Sequence, residues 1–385
     1  MSQHHSTVAN TPLAGLKVLD FSTLLPGPFA TLMLADLGAE VIHVESPTRV
    51  DLVRVMPPYA DGQSAAHAYL NRNKQSLTLD LKNPASIEKV KSLLGEFDIV
   101  VEQFRPGVMQ RLGLGYDDLK AINPRLIYCS ITGYGQTGSY KDRAGHDINY
   151  VSLAGIAGHS GRQDSGPPAL GIQVADVAGG SLHAVIGVLA AVIERQQSNQ
   201  GQHIDISMTD CAFTLNNMAA AAQVAGAEDQ APEAATLNGG SYYDYFKTAD
   251  GRYISVGSLE PQFMLGLSAA LELPILAQKG ASMFDDDRQA VKDAVKQAIA
   301  AQPFAHWQQV FSQLDVCVEP VLSLKEATES QLAQDRGWLV DVPLTAQNQN
   351  HQKQLACPIK FSRSTARYDY VGQQLGEANA QWGDV

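Results

Sequence analysis

The sequence predicts an α/β protein: a large domain on a doubly wound parallel sheet, joined to a smaller α+β domain. Three observations lead there. Short apolar runs alternate with helical stretches as far as Ser207, the pattern of successive βαβ units. Beyond Gly240 the pattern changes to a hairpin with an Asp-Gly turn at Asp250 and Gly251, followed by helices. A length of 385 residues also exceeds what one hydrophobic core usually holds.

Residues 17–21 are the first predicted strand. The turn through Leu24, Pro26, Gly27 and Pro28 leads into a helix that runs to Leu37 and stops at Gly38, which suits a left-handed cap. A second strand at 41–44 completes a βαβ unit. Glu45 stands where a dinucleotide fold keeps its ribose-binding acid, but the first turn lacks the glycines that admit a pyrophosphate. Pro26 and Pro28 have no N–H to offer one, so NAD binding is rejected. Strands at 77–81, 98–102 and 126–131 alternate with helices at 85–94 and 117–122. Gly133, Gly135 and Gly138 then match G-x-G-x-x-G, yet 139–143 show no helical period, so the stretch reads as a ligand-facing or mobile loop. A long helix at 178–197 follows, with Asp176 just before it in the N-cap region, then a strand at 203–207 and a helix at 211–224.

Residues 226–240 are polar and contain Pro and Gly, and read as a linker. The hairpin strands at 242–246 and 253–257 come next, with helices from Glu260, at 287–301 and at 304–314. The expected division is therefore 1–225 for the large domain, 226–330 for the small one, and 331–385 as a C-terminal segment returning to the large domain.

A net charge of -12 argues against nucleic-acid binding, which needs a basic footprint. The scattered Cys129, Cys211, Cys317 and Cys357 read as free thiols in a reducing compartment. The N-terminus has no basic region followed by an apolar run, and His4 and His5 read as a tail feature. A cytoplasmic location is expected. The apolar run 184–193 is too short to cross a bilayer and reads as a buried helix, so no membrane is expected. Zinc-type clusters, a P-loop and a Gly-x-Ser-x-Gly elbow are all missing from the sequence, and no metal is expected.

The stretch Gly145, His146, Asp147, Ile148, Asn149, Tyr150, with Asp176 further along, pairs an imidazole with carboxylates among small and apolar residues. Two bases of different character suggest proton transfer. The plain alternative makes His146 a loop residue, Asp147 a turn residue and Asp176 a helix cap.

Several segments together resemble the family III coenzyme A transferase and racemase superfamily, and more narrowly the α-methylacyl-CoA racemases. They are residues 15–20, the turn Pro26, Gly27, Pro28, residues 35–41, 104–108, 111–116 and 133–138, and the His146 stretch. The resemblance runs from about Leu13 into the C-terminal region. Residues 145–150 and 259–263 look racemase-like.

The resemblance implies the following. His146 and Asp176 match the two acid/base residues on opposite sides of the substrate α-carbon. Glu260 matches a carboxylate that orients the histidine, and Tyr243 a tyrosine beside the site. Coenzyme A contacts are implied for Leu79, Asp80, Leu81, Lys82, Gln103, Phe104, Arg105, Arg111, Gly145, Asp147, Ile148, Asn149 and Tyr150. The substrate is an acyl-CoA thioester, and no separate cofactor is expected because coenzyme A is part of it. The implied assembly is an interlocked homodimer, its site between the large domain of one subunit and the small domain of the other. Ser46 departs from a basic residue of some relatives, with Arg49 nearby, and Ile172 from an asparagine of some racemases.

Racemisation beside a thioester removes a proton from one face of the α-carbon and returns one to the other, so two bases are expected in opposite protonation states. Backbone N–H groups near Gly179 and Gly180 are candidate donors to the enolate oxygen. In the rival transferase chemistry Asp176 attacks the thioester and carries the acyl group as a mixed anhydride. A non-catalytic acyl-CoA-binding protein is the third reading.

Overall fold

A computed structural model describes residues 10–348 and 350–383; His4 and His5 lie outside the described residues. The chain divides into two compact units. The first takes residues up to Ala154, Gly171–Leu215 and the segment from Gln331 onwards; the second takes Gly155–Leu170 and Asn216–Ser330.

The first unit is built on six strands: β1 (Lys17–Asp20), β2 (Glu40–Glu45), β3 (Lys74–Thr78), β4 (Ile99–Glu102), β5 (Ile127–Thr132) and β6 (His203–Ser207). Their order is β3-β2-β1-β4-β5-β6 and every neighbouring pair is parallel. Parallel strands need crossovers. Helix α1 (Pro26–Asp36) lies between β1 and β2, α2 (Pro84–Leu93) between β3 and β4, and α3 (Tyr116–Lys120) between β4 and β5. Every residue of β5 is buried, as expected for a sheet covered on both faces. The strand order reverses between β1 and β4, which places a crevice at the carboxyl ends of those two strands.

The strand predicted at 77–81 is found three residues earlier. Lys74 and Ser76 are buried polar residues in it, so the apolar period does not mark its start. Lys74 Nζ lies 3.3 Å from the Asp20 carboxylate, which also receives hydrogen bonds from Ser22 and Thr31 and faces His43 at 3.2 Å. Burial alone would raise the Asp20 pKa, but Lys74 and His43 outweigh it and hold this carboxyl well below the usual range. Glu45, set aside above as a ribose ligand, is instead held by Arg54 through two bonds of 2.6 and 2.7 Å and by Ser76 at 2.6 Å.

The C-terminal segment from Gln331 belongs to the first unit. It carries the antiparallel pair β10 (Leu339–Pro343) and β11 (His351–Leu355), numbered after three strands of the second unit. It then runs along the open side of β3. The Ala378 N–H donates to the Ser76 carbonyl and the Asn73 N–H to the Tyr370 carbonyl, while Gln373 and Asn379 side chains accept from Ser76 and Thr78. An edge strand that would otherwise offer free backbone groups is thus covered.

Between β5 and β6 the chain forms α4 (Asp147–Leu153), leaves for the second unit, and returns as one helical run from Ala175 to Ser198. That run is π-helical over Ala175–Leu182 and α-helical as α5 (His183–Ser198). At 24 residues it is long and apolar enough to span a bilayer by length and composition, unlike the shorter run read from the sequence. Only one side is buried: Val185, Val188 and Ala191 are covered, while Ile186 and Ile193 are 61% and 60% exposed. The helix predicted at 211–224 is two helices, α6 (Met208–Leu215) in the first unit and α7 (Asn217–Val224) in the second.

The second unit has an antiparallel sheet, β7 (Asp244–Lys247), β8 (Tyr253–Val256) and β9 (Val318–Pro320), in the order β9-β8-β7. Gly251 takes the positive φ of the turn joining β7 and β8. Its core gathers Phe246, Ile254, Leu267, Val295, Ile299 and Trp307 from this sheet and from α8 (Pro261–Ala270), α9 (Asp285–Ala300) and α10 (Phe304–Phe311). Residues 155–170, kept in the large domain by the sequence reading, are tied here. Arg162 bonds both Asp244 oxygens at 2.6 Å and Glu233 at 2.9 Å.

Candidate active site

His146 stands immediately before α4 with extended backbone, and its own N–H is taken by the Asn149 side chain at 3.0 Å. This local box needs His146 and Asn149 three residues apart. Tyr150 turns back under the stretch and donates to the Gly145 carbonyl at 2.6 Å. Its ring explains two glycines: a Cβ at Gly133 or Gly145 would come within 2.5 or 2.6 Å of it. Burial, with Asp176 nearby, pushes the Tyr150 phenol up to about 12. His146 itself is exposed.

Asp176 is not the helix cap that the sequence suggests. The helix starts earlier, and Asp176 lies inside the π-helical turn, half-buried. A π turn inside a helix commonly marks a functional position. The capping carboxylate is Asp147, whose Oδ1 accepts the N–H groups of Ala175 at 2.6 Å and Asp176 at 3.0 Å. Burial, and then the negative charge of Asp147, raise the Asp176 carboxyl to about 6, with His146 opposing. His146, Asp147 and Asp176 are therefore brought together in one unit.

Gly179 and Gly180 are not available as enolate donors. They lie within the helix, buried, and a Cβ there would meet Met208 and, for Gly180, Pro26 as well. Their smallness serves the packing of this helix on α1 and α6. At the start of α4 the His146 carbonyl takes the Asn149 and Tyr150 N–H groups, and those of Asp147 and Ile148, ahead of them in the first turn, are the better source of N–H donors.

The residues implied in coenzyme A binding follow the carboxyl ends of parallel strands, so topology sets them on one edge of the sheet. Leu79 is buried, Asp80 accepts the Lys82 N–H, and Lys82 is exposed, all just after β3. After β4, Gln103 accepts the Gly27 N–H at 2.9 Å across the β1/β4 switch point, Phe104 packs against the core, and Arg105 and Arg111 are exposed. Ser46 accepts the N–H groups of Thr48 and Arg49 and so shapes the turn that carries Arg49. Ile148 is 59% exposed beside His146.

Tyr243 and Glu260 belong to the second unit. Tyr243 begins the approach to β7, its ring 3.5 Å from the place of a Cβ on Gly257, and Glu260 is the exposed residue preceding α8. Burial, with Glu260 adding, pushes the neighbouring Tyr242 phenol up to about 12.

One residue escaped sequence reasoning. Glu102 ends β4 buried, and its Oε2 accepts the Phe104 N–H at 2.8 Å, which shapes the turn carrying Gln103 and Arg105. Burial pushes its carboxyl up to about 7. The one available signal was an acid ending an otherwise apolar strand.

The fold and this site define an α/β protein with a switch point in a parallel sheet and a candidate acid/base cluster in the same unit. The profile of CoA-transferase family III matches residues 13–379, and the chain belongs to that family. It is 36% identical to human alpha-methylacyl-CoA racemase over 85% of this chain and 82% of that protein. It is also 34% identical to the succinate–glutarate CoA-transferase of Agrobacterium fabrum, over 96% of this chain and 94% of that one. Among solved structures, a CAIB/BAIF family protein from Brucella suis superimposes with a TM-score of 0.82 at 30% identity, covering 97% of this chain and 98% of that one.

Proposed function

We propose that this enzyme interconverts (R)- and (S)-2-methylacyl-CoA thioesters by two-base proton transfer through an enolate. The observation that carries the reading is the Asp176 carboxyl, raised to about 6 and linked through Asp147 to His146. A group poised there takes or gives a proton near neutrality, as a racemase requires of each base in turn. In one direction neutral His146 removes the α-proton and protonated Asp176 returns one to the opposite face; the reverse direction exchanges their roles. N–H groups at the start of α4 are the proposed donors to the enolate oxygen. Tyr243 and Glu260 carry over from the resemblance as supporting residues. We further propose that the protein works as a cytoplasmic homodimer without a separate cofactor.

A second reading, acyl transfer with Asp176 as nucleophile, is favoured by the similarity to the A. fabrum CoA-transferase over nearly the whole chain. One experiment separates the two. The protein is incubated with a 2-methylacyl-CoA in deuterated water without an acceptor acid. Racemisation gives α-deuteration and loss of optical purity, both abolished in His146→Ala. Transfer gives neither, but exchanges coenzyme A once a carboxylate is added.

A further inference from the structure

We propose that Asp147 is a positioning residue for the acid/base pair: its carboxylate caps the helix carrying Asp176, fixes that residue relative to His146, and sets a second negative charge beside it. The inference rests on the two-base reading above.

Asp147 follows His146 in the chain and opens α4, so its backbone moves with the imidazole. Its Oδ1 spans to the next helical run and accepts from Ala175 and Asp176 at 2.6 and 3.0 Å. These N–H groups lie in a first helical turn, where no preceding carbonyl can take them. An acid in such a turn ordinarily gains from those donors and from the helix dipole, and ionises more easily. Here a second carboxylate, from another helix, already occupies them. The strut His146–Asp147–Asp176 therefore sets spacing and charge together.

Other groups near this turn act elsewhere or more weakly. Asp147 and His146 are the charged groups acting on the Asp176 carboxyl, and the Tyr150 phenol feels it in turn. On α5, His183 is bonded to the Ala178 carbonyl. On α6, Asp210 acts on the Cys211 thiol. Asp36 on α1 is bound to Arg72, while on β6 His203 meets Ser130 and Asp205 takes the Gln136 N–H.

The test compares the full-length wild type with Asp147→Asn and Asp147→Ala. The carboxamide oxygen of Asn still accepts both N–H groups but carries no charge. The limb of the pH profile for α-deuteration that reports Asp176 is then expected to move to lower pH. Asp147→Ala also loses the cap, and its kcat is expected to fall a further ~10-fold. Carboxyl-carbon NMR of the substrate-free protein, assigned with Asp176→Asn, reads the same shift without turnover. Asp176 should titrate near 6 in the wild type and lower in Asp147→Asn. A folded Asp147→Asn protein whose Asp176 limb and Asp176 titration both stay unmoved overturns the proposal. If the wild type shows no α-deuteration while the NMR titration still shifts, the racemase reading fails, the positioning of an acid/base pair falls with it, and only the effect of Asp147 on the Asp176 carboxyl is kept. Should Asp147→Ala fail to fold, Asp147→Asn carries the comparison alone.

Discussion

Asp176 is kept where the folded chain would be more stable without its charge. Its folded pKa, about 6, lies above the ordinary value of 3.8. The folded state therefore holds the proton more tightly, and stability falls as pH rises between those values. Asp176→Asn should melt about 2 °C higher than wild type at pH 8 and no differently below pH 4, in parallel thermal scans, while losing α-deuteration. His146→Ala should fold normally and lower the deuteration rate by about a thousandfold, the usual scale for a lost general base. These residues were legible in the sequence because an imidazole and carboxylates stand out among small residues. Their division of labour was not: capping by Asp147 acts between helices that are adjacent in space and remote in the chain, and no local period records such a contact.

At the scale of elements, β1, β2, β4 and β5 could be read from apolar runs because a sheet covered on both faces demands them. The start of β3 was hidden by Lys74 and Ser76, whose burial is tolerable only through partners on β1 and β2. Glu45 shows the energetic consequence. Burial opposes its charge, yet Arg54 and the neighbouring groups hold its carboxyl at about 2. That stabilisation is present above the ordinary pKa of 4.5 and is lost as pH falls towards 2. Arg54→Met leaves the buried carboxylate unpaired and should cost about 3 kcal/mol, read by urea denaturation at pH 7. It should also loosen the C-terminal segment, since Arg54 donates to the Gln373 carbonyl at 3.0 Å. A chain ending at Arg367 uncovers the side of β3 and should aggregate on expression; a monodisperse truncated protein would count against the covering role.

For the whole molecule, the carried-over homodimer makes a sharp prediction. If each site draws His146 from one copy and Glu260 from the other, His146→Ala and Glu260→Ala proteins should each be inactive. Unfolded together and refolded as a mixture, they should recover on the order of a quarter of wild-type activity through mixed dimers. Sedimentation of the wild type checks the dimer itself.

By itself the sequence determined the α/β class, most of the sheet strands and the hairpin of the second unit, and it singled out the His146 stretch and Asp176 as candidates for proton transfer. These follow from local periodicity, turn chemistry and the rarity of titratable residues in small apolar surroundings. Only the tertiary structure decided that residues 155–170 join the second unit, that the C-terminal segment covers β3, and that Asp147 caps the helix of Asp176. Each is a polar contact between remote parts of the chain. Burial forces polar groups to find partners, but where the partner comes from is settled by packing alone.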